Sequence, residues 1–98
     1  MPKLQNGHAP GHVRDTFVHA IKAFACWNDG EPEPTVEFEV NYVPRQIPIS
    51  QACSALWNCT DIIPAAEFNL LRDMGLPIRR GTYAACARAL KTEIGGRR

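Results

Sequence analysis

No apolar run in this 98-residue chain approaches the ~20 residues needed to cross a bilayer. That excludes a helical membrane span and any membrane partner of that kind. The opening "MPKLQNGHAPGH" holds no apolar stretch of the signal-peptide type, so a cytoplasmic protein is expected. There is no C-x-x-C pair, no zinc-finger spacing, no glycine-rich phosphate loop and no nucleophile elbow. The expectation is therefore a non-enzymatic protein without metal or other cofactor. Internal repeats are also missing. What is present is ordinary for one globular domain: 45% hydrophobic and 21% charged residues.

Charge is unevenly spread. Arg72 to Arg98 carries seven basic residues against two acidic ones, a net of +5, and the preceding 71 residues have a net of −4. Such polarity marks a surface that meets a polyanion, although exposed terminal helices collect charge without any partner.

Cys26, Cys53, Cys59 and Cys86 are scattered, and each falls on the apolar side of an expected helix, where a thiol packs as a small hydrophobe. Four buried, reduced thiols are expected. Cys53 lies in a first helical turn that lowers a thiol pKa, but its place in the apolar stripe makes it packed and inert. His8, His12 and His19 offer ligand atoms in number only. "HAPGH" fixes no helix face, and Cys53 and Cys59 sit about 120° apart on a wheel. Asp61 and Glu67 read as surface or capping groups, and Asn58-Cys59-Thr60 as a chance glycosylation match.

The chain divides into a flexible lead at 1–11, one globular domain at 12–95 and a basic tail at 96–98. A helix is expected from about Val13 to Asn28, on the three- and four-residue steps of Val13, Phe17, Ile21, Phe24 and Trp27. "EPEP" is a stiff acidic connector. "TVEFEVNYV" is an amphipathic strand with Val36, Phe38, Val40 and Tyr42 on one face. Its partner is expected to be "LPIRR" or the same strand of a second subunit, hence a homodimer through Val36 to Tyr42. "PRQIP" reads as extended. Three short helices follow: one capped by Ser50 with Ile49, Ala52, Cys53, Leu56, Trp57 and Cys59 inward, one from Pro64 to Gly75, and one capped by Thr82 and ending at Gly95-Gly96. The fold class is α+β, mainly helical, with a trihelical, helix-turn-helix-like core.

Two functions fit this layout. One is a DNA-binding, helix-turn-helix-like transcription regulator reading duplex DNA with the last helix. Its outward face would be Ala84, Ala85, Arg88, Ala89, Lys91 and Thr92. Arg79, Arg80 and the Thr82 cap would hold phosphates with help from free helix amides, and Arg88 and Lys91 would face the groove. Against it, Gly75 to Gly81 is longer than the usual three- or four-residue turn, and alanine needs no function in a helix. The other function is a protein–protein module, an inhibitor, adaptor or assembly subunit that docks the same basic surface on an acidic partner or uses the strand edge. Trp27 and Trp57 serve as packing residues in both. A ribbon-helix-helix mode is rejected, because Glu37 and Glu39 would meet phosphates.

Overall fold

The structure is a computed structural model that describes residues 11–79 and 81–97. His8, Arg80, Arg98 and nearly all of the expected lead lie outside the described residues. The elements in chain order are α1 (Gly11–Ala25), β1 (Thr35–Val40), β2 (Val43–Pro48), α2 (Ile49–Ser54), α3 (Ala65–Asp73) and α4 (Tyr83–Arg97). The class is α+β, as expected: among the described residues there are four helices and one two-stranded antiparallel sheet.

The apolar stripe of α1 folds as its spacing requires. Val13, Phe17, Ile21 and Phe24 are buried, and Trp27 is buried just beyond the helix. The indole Nε1–H of Trp27 donates to the Glu31 carbonyl at 2.9 Å, so its polar edge is satisfied. Gly30, at φ +88°, turns the chain here.

The strand's partner within the chain is not "LPIRR". It is the proline-flanked segment Val43–Pro48, paired in register from Thr35↔Pro48 to Val40↔Val43. A two-residue hairpin alternates its ladder bonds so that Pro44, Gln46 and Pro48 have their nitrogens facing outward, and the two prolines break no bond. The turn is Asn41-Tyr42, with φ of 51° and 66°, the signature of a type I′ hairpin. Tyr42 therefore leaves the strand face that its parity suggested and stands in solvent, 92% exposed. The unpaired strand, the reason to expect self-association, does not exist. Val36 and Ile47 anchor one end of the hairpin in the core, while Val40 and Val43 at the tip are exposed.

α2 is shorter than its sequence pattern. It stops at Ser54, and turns carry the chain through Asn58. Ser50 does not cap it. Instead the amides of Ile49 and Ser50 donate to the Pro34 carbonyl at 3.1 Å and to the Glu33 carboxylate at 2.9 Å. α3 ends as expected at Gly75, φ +87°. The Gly75 amide donates to the Arg72 carbonyl and the Leu76 amide to the Leu71 carbonyl, with both leucines buried. This is a Schellman close with its apolar contact.

The core joins Phe17, Ile21, Ile49, Leu56, Leu71, Leu90 and Ile94, all fully buried. Within it, α4 packs mainly on α2, which in turn packs on α1, and α3 makes a smaller contact with α1. α4 does not end at Gly95-Gly96 but runs on to Arg97. The Arg97 guanidinium lies 5.2 Å from the Phe24 ring centre and 5.4 Å from that of Trp27, and its Nη2 is 3.5 Å from Asp29. These contacts tie the last turn of α4 to the end of α1 and hold it past two glycines.

Candidate nucleic-acid interface

The start of α4 is closed. Tyr83 donates its amide to the Asp61 carbonyl at 3.0 Å and Ala84 to the Cys59 carbonyl at 2.8 Å. Ala85 donates to the Thr82 hydroxyl at 3.2 Å and Cys86 to the Thr82 carbonyl at 3.1 Å. Thr82 is thus the expected cap. However, the amides of Tyr83, Ala84 and Ala85 are satisfied within the chain, and that of Cys86 makes the first bond of the helix itself, so none of these is left to help hold a phosphate. Ile63 adds a further bond to the Gly81 carbonyl, and Ile62 bridges to Thr82.

Arg79 stands exposed on the connection before α4, and Arg80 beside it lies outside the described residues. Arg88 and Lys91 come together on α4, but around a residue that the sequence reading had placed in the core. Trp57 follows the shortened α2 and is 37% exposed. The Arg88 guanidinium carbon is 5.0 Å from its ring centre and the Lys91 ammonium nitrogen 5.2 Å. Both cations meet the negative face of one indole. Arg88 is further held by the Trp57 carbonyl, to which Nε and Nη2 donate at 3.2 and 3.0 Å, with Asn58 Oδ1 at 3.4 Å from Nη2. Lys91 donates to the Ser54 hydroxyl at 2.7 Å, and that hydroxyl donates to the Ser50 carbonyl.

Chain position therefore brings Arg88 and Lys91 into one cluster, leaves Arg79 on a separate loop and makes Thr82 a structural cap. Ala84, Ala85 and Ala89 are half-buried rather than a bare outward face. The sequence signal missed was at Leu56-Trp57: once the helix ends at Ser54, adjacent large residues cannot both turn inward. Leu56 takes the core and Trp57 the surface.

Across the described residues the two clearest ion pairs are elsewhere, Arg14–Asp61 at 3.7 Å and Arg97–Asp29 at 3.5 Å. Neither Arg88 nor Lys91 has a carboxylate partner among them. The acidic charge gathers instead in a groove of about 510 Å³ between α1 and β1, lined by Asp15, Glu37 and Glu39 with His12 and His19. His12 stacks on Phe38 there at 5.7 Å.

Three of the four thiols are buried as expected, but Cys26 is exposed: at 100° per residue it stands on the face opposite Phe17 and Phe24, and its amide still donates to the Lys22 carbonyl at 3.2 Å, so it was never on the apolar stripe. Burial pushes the Cys53 thiol up to about 12 and the Cys86 thiol up to about 11, from an ordinary 9.0. The nearby Lys91 charge only partly offsets the burial of Cys53. Burial also raises Cys59. No group of three His, Cys, Asp or Glu side chains among the described residues is arranged to hold a metal ion.

The chain matches no protein-family model, no curated protein and no solved structure. No helix among the described residues is long and apolar enough to cross a membrane.

Proposed function

We propose that the protein is a small DNA-binding regulatory protein whose basic last helix, α4, engages nucleic acid mainly through backbone phosphates. α2, α3 and α4 keep the chain order of a helix-turn-helix-like core, with the connection before α4 presenting Arg79 to the same partner. The observation that carries this reading is the pairing of Arg88 and Lys91 on one partly exposed indole, with no carboxylate within ion-pair distance of either among the described residues. Cations neutralised only by a ring quadrupole and neutral oxygens keep most of their attraction for an anion, whereas Arg14 and Arg97 have spent theirs in ion pairs. The acidic α1–β1 groove gives the molecule the charge asymmetry that orients a polyanion toward α4. Arg88, fixed to the Trp57 carbonyl, is better suited to a phosphate than to reading a guanine edge, and the half-buried alanines favour a shallow contact over deep groove insertion.

A salt-series gel shift on mixed-sequence duplex DNA tests the reading. Binding should fall steeply from ~50 to ~200 mM salt as phosphate contacts release condensed counterion. Lys91→Ala and Arg79→Ala should each flatten the slope by about one unit, irrespective of sequence. No binding to duplex or single-stranded nucleic acid at ~50 mM salt would sink it.

The hairpin tip supports the second reading, a protein–protein module. Val40, Val43 and the 92%-exposed Tyr42 form an apolar point on a narrow ribbon, a shape suited to a partner's pocket. A stoichiometric partner captured by the wild type and lost on Tyr42→Ser, with arginine substitutions on α4 neutral, would establish that reading in place of the first.

A further inference from the structure

We infer that the Trp57–Arg88–Lys91 cluster is a stacking site for an unpaired base of single-stranded nucleic acid, with Lys91 delivering its charge to the adjacent phosphate. The inference rests on the nucleic-acid reading above and sharpens its substrate class.

Two features disfavour a duplex as the preferred ligand. A helix that reads a groove needs a bare face and commonly uses its leading residues and amides. In α4 the leading amides are bonded internally, and Ala84, Ala85 and Ala89 are half-covered by the protein's own chain. A stacked duplex also hides its base faces, so an exposed indole has nothing there to stack on.

A single strand offers both parts that the cluster lacks. Proteins that hold single strands combine cations tracking the backbone with aromatic rings on which bases lie, and arginine beside the ring adds to the stack. Trp57 is 37% exposed, and the two cations sit 5.0 and 5.2 Å from its ring centre.

The two cations are held differently, and this gives the site an order of events. Arg88 is fixed by two bonds to one carbonyl and braces the Trp57 backbone. Lys91 has one bond, to the Ser54 hydroxyl, on a flexible stem. When a phosphate arrives, Lys91 turns to it and vacates its place against the indole. The ring surface it leaves is then open to the neighbouring base. Phosphate capture and base stacking are therefore coupled through one side chain.

The test uses the full chain with an oligonucleotide of about 12 thymidines, its uridine counterpart and a mixed duplex, since such sites span about 4–16 nucleotides. Trp27 is buried, so a change in tryptophan emission on binding reports Trp57. The inference expects quenching by the single strands, and tighter binding to them than to the duplex. Trp57→Leu should weaken single-strand binding by about 5- to 100-fold, with much of the loss recovered in Trp57→Phe. Whichever of the thymidine and uridine strands binds better identifies DNA or RNA as the source of the base. Lys91→Gln should reduce both the affinity and the quenching, and it guards against a Trp57 variant that fails to fold. Duplex binding as tight as single-strand binding, with no quenching and no effect of Lys91→Gln on emission, would overturn the stacking inference and leave phosphate binding standing. Absence of binding to all three at ~50 mM salt would overturn the proposed function as well.

Discussion

Glu33 and Ser50, 17 residues apart, meet through a carboxylate oxygen and a backbone amide at 2.9 Å. The acidic connector thereby supplies the cap for α2 that Ser50 was expected to supply for itself. Removing the carboxylate should lower stability by about 1 kcal/mol, the usual cost of losing a side-chain cap. Urea unfolding of Glu33→Ala should show the shift, and Ser50→Ala should leave the midpoint near the wild-type value. The reverse ranking would return the capping role to the serine.

A second expectation concerns the hairpin turn. Tyr42 holds φ 66°, a left-handed conformation that costs a non-glycine residue roughly 1–2 kcal/mol. Asn-Gly is the favoured pair for this turn type. Tyr42→Gly should therefore raise the thermal midpoint, since an exposed ring gives up little packing. A lowered midpoint would mean that the ring stabilises the hairpin through contacts of its own.

Thiol reactivity should divide the cysteines one against three. Cys26 is exposed and should react in the native protein, while Cys53, Cys59 and Cys86 should react only on denaturation. Two native-state thiols would place one of the buried three at the surface.

Alkaline pH should weaken the fold through the same buried groups. The unfolded chain gives up the Cys53 proton near 9.0, whereas the folded chain holds it to about 12. Stability from this group is complete below the lower value. It is lost as pH rises through the interval, because only the unfolded state is deprotonated there. The limiting slope is about 1.4 kcal/mol per pH unit. Urea midpoints measured at about pH 8 and about pH 10 should fall, and Cys53→Ala should reduce the fall.

Gly95 lies within the helical run of α4, and a methyl group there would meet nothing within 4 Å. Gly95→Ala should stabilise the protein by up to about 1 kcal/mol through helix propensity, less if the end frays. A neutral or destabilising result by thermal melting would show that the terminal turn is not helical in solution.

The sequence made legible whatever depended on regular spacing. The apolar steps of α1, the Gly75 stop and the Thr82 cap each follow from a local rule, and each stands in the structure. Legibility failed where a distant segment supplied the deciding contact. β2 was hidden because prolines argue against a strand until the register shows their nitrogens facing outward. The end of α4 was misjudged because Gly95-Gly96 is a stop signal that Arg97, lying against Phe24 and Trp27, overrides. The candidate site was half legible: Arg88 and Lys91 could be paired by helical spacing. Trp57 between them could not, since its exposure follows from α2 stopping after six residues.

The bonds joining Cys59, Asp61 and Ile63 to Ala84, Tyr83 and Gly81 have a consequence for how the chain is organised. The polypeptide departs and returns at one place, so the segment between Ile63 and Gly81 is a closed loop that sends Leu71 and Leu76 back into the core. Entropic closure changes slowly with length, by only about 0.6 kcal/mol per doubling. Extra residues in the loop's exposed stretches should therefore cost little, as long as both anchor points and the two buried leucines keep their places. Its basic connection can be retuned while α2 and α4 keep their shared surface. One short seam thus fixes both ends of a segment whose exposed stretches are free of the core and whose leucines belong to it.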